Sequence, residues 1–158
     1  MLRGGWLFLL RLCSYTAFSY NWADEQLTLK RDAYYHLTRP GNLYSNRKDI
    51  PTTIMNAMIL CCRMSVRFLW IDAMCILQDY PQDFKDQICN MDAIYIGARF
   101  TIVAASGTDS QSGLPGVRRG SWPVQRRRIT KDLILVAAQP DLNFALRSTS
   151  WHHRAWAF

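Results

Sequence analysis

Asp72, Cys75, Gln78 and Asp79 fall within one short stretch, Arg67-Phe68-Leu69-Trp70-Ile71-Asp72-Ala73-Met74-Cys75-Ile76-Leu77-Gln78-Asp79. A carboxylate held in a dry pocket serves as a general acid or base, and Asp72, directly after an apolar run, is a candidate for that work. The same side chain can instead cap the turn that follows it, a common job for Asp. The sequence leaves both roles open. Glu25 is the one glutamate of the chain. Cys75 has neither an adjacent His nor a glycine elbow, so it reads as a small buried residue rather than a nucleophile. His152 and His153 are adjacent and on a strand would point apart, which makes a poor two-ligand metal site. The five cysteines, Cys13, Cys61, Cys62, Cys75 and Cys89, include no CxxC pair, so reduced thiols and no metal are expected. Ser106-Gly107-Thr108-Asp109 lacks the lysine of a phosphate loop and reads as a tight turn.

These residues need a sheet edge to hold them. Short apolar runs bounded by polar residues predict buried strands at Thr16–Tyr20, Arg67–Ile71 and Arg99–Ala105. The polar turn Asn21–Glu25 follows the first strand, and Leu27–Leu29 is a short extended piece. Helices are expected at Arg31–Leu37 and from Pro51, taken as a first helical position, with Ile54, Ala57, Met58, Cys61 and Met64 or Ser65 on one apolar stripe. Phe84, Ile88, Met91 and Tyr95 lie on one stripe, which predicts a single long helix to about Ile96, capped by Gly97. Arg39–Asp49 reads as loop. So does Ser106–Pro123, whose length points to function or disorder rather than regular structure. Late strands are expected at Leu133–Ala138 and at Phe144-Ala145-Leu146. Helix followed by strand, repeated, predicts an α/β fold with a mainly parallel central sheet flanked by helices and a late β segment. Asp72 then sits at the strand-end edge where such folds place their sites.

The chain has 158 residues, 49% of them hydrophobic and six of them Trp, enough for one domain with a real core. Its net charge of +7 is local: Arg118, Arg119, Arg126, Arg127, Arg128 and Lys131 meet no acid before Asp132. Clustered arginines without interleaved aromatics read as a solvated loop, so nucleic-acid binding is not expected. Trp6 to Leu10 mimics a signal peptide, but Arg11 cuts the apolar core short. No stretch reaches the length of a membrane span. The expectation is a cytoplasmic protein.

Four segments together resemble the fungal heterokaryon-incompatibility (HET) domain. Phe18-Ser19-Tyr20-Asn21-Trp22-Ala23-Asp24 is similar to that family's opening LSYxWG, with Ala23 in place of the glycine. Phe68 to Asp79 is similar to YLWIDxLCIxQD and is the most specific of the four. Met91-Asp92-Ala93-Ile94-Tyr95 through Ser106-Gly107 is similar to M…IYxxAxxTIxAxSG. Trp151-His152-His153-Arg154-Ala155-Trp156-Ala157-Phe158 is similar to the start of WxxRxWTFQE. The family-motif residues are thus Ser19, Tyr20, Trp22, Trp70, Asp72, Cys75, Gln78, Asp79, Tyr95, Ser106, Gly107, Trp151, Arg154 and Trp156. The resemblance covers residues 14–158, read as a partial HET domain because the fourth motif stops before its Gln-Glu; residues 1–13 match nothing.

The resemblance implies a module of fungal non-self recognition that triggers cell death and acts through protein partners or self-association. It also implies a distant similarity to TIR domains, which cleave the nicotinamide–ribose bond of NAD with a glutamate four residues after a late tryptophan. That position lies beyond Phe158, so NAD enters only as a possible substrate. The rival expectation is an NAD-cleaving enzyme in which Asp72 or Glu25 replaces the glutamate, and a third is an inert fragment. No cofactor is expected.

Overall fold

A computed structural model describes residues 13–45, 48–121, 127–130, 133–136 and 141–153. Strand β1, Tyr15–Ser19, is the centre of a parallel sheet in which it pairs with β2, Phe68–Ile71, on one edge and β3, Phe100–Val103, on the other. The register aligns Phe18 with Ile71, and Ser19 with Val103, so the three strands end nearly flush. Every residue of β1 is buried. This explains its lack of apolar–polar alternation: a parallel strand covered on both faces reads as a continuous run.

The two faces carry separate cores. Phe18, Tyr20, Ile71 and Ile102 pack with Ile54, Ala57 and Cys61 of α3, Thr52–Arg63. Tyr15, Ala17 and Trp70 pack on the other side with Met91 and Ile94 of α6, Met91–Gly97. The helices between are α1, Arg31–Leu37, α2, Asn42–Ser45, the single turn α4, Asp72–Cys75, and α5, Pro81–Cys89. The α/β architecture with a parallel sheet flanked by helices is therefore as expected. Its strand order, β2-β1-β3, places a topological switch point between β1 and β3.

Several local expectations are corrected. The single long helix is two, because Asn90 leaves helical geometry (φ −110°, ψ 13°). Its side-chain Nδ2 donates to the Asp86 carbonyl at 2.7 Å, taking the acceptor that its own amide would use in a continuous helix. Gly97 is the last helical residue rather than a left-handed cap, and its role is space: a Cβ there would lie 3.1 Å from the Tyr15 hydroxyl. Pro51 is the N-cap of α3, one position earlier than expected. The Arg39–Asp49 loop contains α2, where Asn42 donates to the His36 carbonyl at 2.8 Å.

The loop from Ser106 is ordered over its described part, to Ser121. Gln111 Oε1 accepts from the Thr52 amide at 3.1 Å, and Gly113 N donates to Thr53 Oγ1 at 2.8 Å, so the loop caps the start of α3. Farther along, Arg118 Nε donates to buried Asn56, and Arg63 Nη1 donates to the Val117 carbonyl. The expected strand at Phe144–Leu146 is instead helix α7, Leu142–Arg147, begun by Asp141, whose Oδ1 accepts from the amides of Asn143 and Phe144. Part of the arginine cluster forms strand β4, Arg127–Ile129, antiparallel to β5, Ile134–Val136, which is the late strand expected there. A single 3-10 turn, Ser150–His153, ends the described chain. Residues 1–12, Arg126, Lys131 and Arg154–Phe158 lie outside the described residues.

The join from α3 into β2 fixes where the key strand begins. Val66 N donates to Cys61 O at 2.9 Å and Ser65 N to Cys62 O at 3.2 Å, the paired bonds of a Schellman ending. Ser65 occupies the left-handed position of that motif with φ 56°. A side chain there costs about 1–2 kcal/mol, and glycine avoids that cost while losing about 0.4–1 kcal/mol through the unfolded chain. Ser65→Gly is therefore expected to stabilise the fold by about 0.5–1 kcal/mol, read as a higher midpoint in denaturant at unchanged slope.

Candidate functional site

The flush strand ends gather residues that are far apart in sequence. Ser19 is the last residue of β1, and its buried Oγ accepts from Trp151 Nε1 at 2.7 Å. Asn21, two residues on, donates through Nδ2 to the Gly107 carbonyl at 2.7 Å and to Ser150 Oγ at 2.8 Å. Trp22 Nε1 sits between both Asp72 oxygens, at 3.3 and 3.2 Å. Turns after β1, β2 and β3 and the 3-10 turn thus meet at one edge, around the switch point.

Each group is positioned by a local cause. Asp72 opens α4 and is buried; its Oδ1 also accepts from the Ala73 amide at 2.7 Å, so the carboxylate braces the turn while holding Trp22. Gln78 Nε2 returns to the carbonyls of Asp72 and Ile76, both at 3.2 Å. Leu29, in the extended piece expected at Leu27–Leu29, clasps the turn from outside. Its amide donates to Ala73 O at 2.8 Å and its carbonyl accepts from Gln78 N at 2.9 Å. Gly107 is where a side chain has no room: a Cβ would stand 2.8 Å from Ser112 Cβ.

The other motif residues support this edge from a distance. Asp79 accepts from the Arg31 amide at 3.0 Å and lies 3.7 Å from Arg31 Nε, so it caps the start of α1 from another part of the chain. Tyr20 stacks on Phe18 with ring centroids 4.9 Å apart, and its hydroxyl accepts from Gln26. Trp70 and Tyr95 meet edge-to-face at 5.6 Å in the second core, and the Tyr95 hydroxyl donates to Phe18 O at 3.4 Å. Ser106 is exposed beside buried Gly107, and Glu25 is exposed on a bend. Arg154 and Trp156 lie outside the described residues.

Cys75 Sγ accepts weakly from the Ile71 amide at 3.5 Å. Burial pushes its thiol up from 9.0 to about 11; the Ile71 hydrogen bond opposes this and nearby Asp72 adds to it. Such a thiol is protonated at neutral pH and is a poor nucleophile. Among the described residues, no three His, Cys, Asp or Glu side chains come together as a metal site, and no helix is long and apolar enough to cross a membrane.

Asn21 and Ser150 were not singled out from sequence. Asn21 could have been, since an amide directly after a buried strand has turn backbones within reach; Ser150 carries no comparable signal.

Two outcomes test this arrangement. Asn21→Ala removes both of its bonds and leaves the Gly107 carbonyl with only Ser150 Oγ at 3.4 Å. It is expected to cost about 1–3 kcal/mol and to speed amide exchange around residues 104–107. For Cys75, the folded state holds its proton where the unfolded chain has lost it. Stability tied to this thiol is complete below pH 9 and falls as pH rises from 9.0 toward about 11. Denaturant titrations should show that decline weakened in Cys75→Ala.

The model of the family described as heterokaryon incompatibility protein (HET) matches residues 15–158. No curated protein and no solved structure matches the chain. The match begins at β1, runs through all three turns of the site edge and includes the Ser150–His153 turn. The chain belongs to the heterokaryon-incompatibility family.

Proposed function

We propose that this HET domain is a cell-death effector of fungal non-self recognition, acting in the cytoplasm through association with protein partners or with copies of itself. The observation that carries the reading is a pair of apolar side chains on the late hairpin. Ile129 and Ile134 are cross-strand partners, 63% and 65% exposed. Neighbouring residues in two places along the chain add to it: Leu133 is 56% exposed, and Leu142 and Phe144 on α7 are 70% and 71% exposed. Isoleucines opposed across a hairpin and left in water gain most from a covering surface.

The site edge supports the same reading from the other side. Asp72 holds Trp22 and its own turn, and Ser19 receives Trp151, so the motif's polar groups serve as braces. The competing reading is a TIR-like NAD hydrolase with Asp72 or Glu25 as the carboxylate. In its favour, a hydroxyl, a carboxylate and two tryptophans lie along one strand-end edge.

Expression in a filamentous fungal host is expected to arrest growth, and Ile134→Asp with Phe144→Asp to relieve the arrest while circular dichroism stays unchanged. The purified double variant should elute at a smaller apparent size than the parent. Nicotinamide release from NAD by the parent protein, abolished in Asp72→Ala, would replace this reading with the hydrolase.

A further inference from the structure

A cleft of about 560 Å³ lies between the α1–α2 arch and the sheet, within the range of small-molecule pockets. Leu29, Leu37, Leu43, Met58, Leu69 and Met74 line it. These are aliphatic and thioether side chains, and the methionines can adjust to an occupant. Leu29 and Ile71, at its base, are buried, whereas Arg39, Pro40 and Gly41 are exposed and form its rim. Gly41 turns the chain at the rim with φ 85°.

The charge of the lining is one-sided. Among the described lining residues Arg39 alone is formally charged at neutral pH, and none is Asp or Glu. The Arg39 guanidinium makes no ion pair or hydrogen bond with the described residues; only its backbone does, to His36 and Asn42. Thr38 Oγ1, beside it, is engaged with the Tyr34 carbonyl at 2.7 Å. An apolar depth with a cation at the mouth that has no partner among the described residues selects a ligand of matching polarity.

We propose that this cleft binds an unbranched aliphatic carboxylate, with its chain against Leu29, Met58 and Leu69 and its carboxylate at Arg39. Burying the chain removes its apolar surface and that of the lining from water, and supplies most of the affinity. Arg39 supplies the preference for an anionic end. The site lies on the outer side of α4: Met74 and Cys75 line the cleft, whereas Asp72 of the same turn holds Trp22. An occupant therefore packs against the turn that fixes the site edge.

Calorimetric titration with dodecanoate, below its micelle concentration, tests the site, with dodecanol and dodecylammonium as matched chains. Saturable binding of one dodecanoate per chain is expected, tighter than either matched chain. Arg39→Gln should weaken dodecanoate about three- to fivefold and leave dodecanol unchanged. In the unaltered protein at alkaline pH, dodecanoate should slow alkylation of Cys75 while exposed Cys62 reacts as before. This last measurement decides the matter even if the Arg39 variant does not fold. Absence of saturable binding, dodecylammonium binding as tightly as dodecanoate, or unprotected Cys75 would each overturn the assignment.

Discussion

Strand β1 has no side left to water: β2 and β3 take its backbone edges, and the α3 and α6 cores take its two faces. A strand enclosed in this way can present polar groups only where it stops. The chain does so at once, with Ser19 as the last strand residue and Asn21 and Trp22 directly after it. Because the neighbouring strands end at nearly the same level, the turns that follow all three become mutual neighbours. The edge bonds follow from this geometry. Trp22 to Asp72 spans 50 residues of sequence, Asn21 to Gly107 spans 86, and Ser19 to Trp151 spans 132. The family motifs are separated along the chain but joined at one edge.

Much of this was legible because the signals were strong and local. Thr16–Tyr20, Phe68–Ile71 and Phe100–Val103 are largely apolar runs ending at polar turns, as strands of a helix-covered parallel sheet require; only β1 is buried throughout, since Phe68 on β2 and Val103 on β3 are exposed. The stripe of α3 placed Ile54, Ala57 and Cys61 correctly in the core, whereas Met64, expected on the same stripe, lies beyond the helix end and is exposed. Two of the errors share a cause: a single polar side chain decided a local geometry that the apolar pattern had set otherwise. Asn90 broke a stripe that was continuous in hydrophobicity, by bonding one turn back. Asp141 turned a short apolar run into a helix by capping it. The arginines at 127 and 128 hid a strand because charge suggested loop, although Ile129 had a partner in Ile134.

The candidate site was legible in some of its members, with Asn21 and Ser150 as exceptions, but not in their roles. Asp72 was placed correctly at a strand end, and both a chemical and a capping role were open from sequence. The geometry gives it an indole N–H and its own turn to hold. Cys75, expected to be a small buried residue, is half-buried, and desolvation pushes its thiol up to about 11. What sequence could not convey was the pairing of each group, since partners lie dozens of residues away and neither member marks the other. Asp79 is the clearest case: it caps a helix that begins 48 residues before it.

The enclosure of β1 has a consequence in time as well as in space. Tyr15–Ser19 leaves the ribosome before any of its partners exist, and Phe100–Val103 is translated on the order of ten seconds later. Through that interval a largely apolar strand can gain β2 on one edge and α3 on one face, while its other edge and other face wait for β3 and α6. Parallel pairings of this sequence separation are slow to close even once the partners are present. The segment that makes the fold most secure when finished is therefore one that must wait longest for its partners during synthesis.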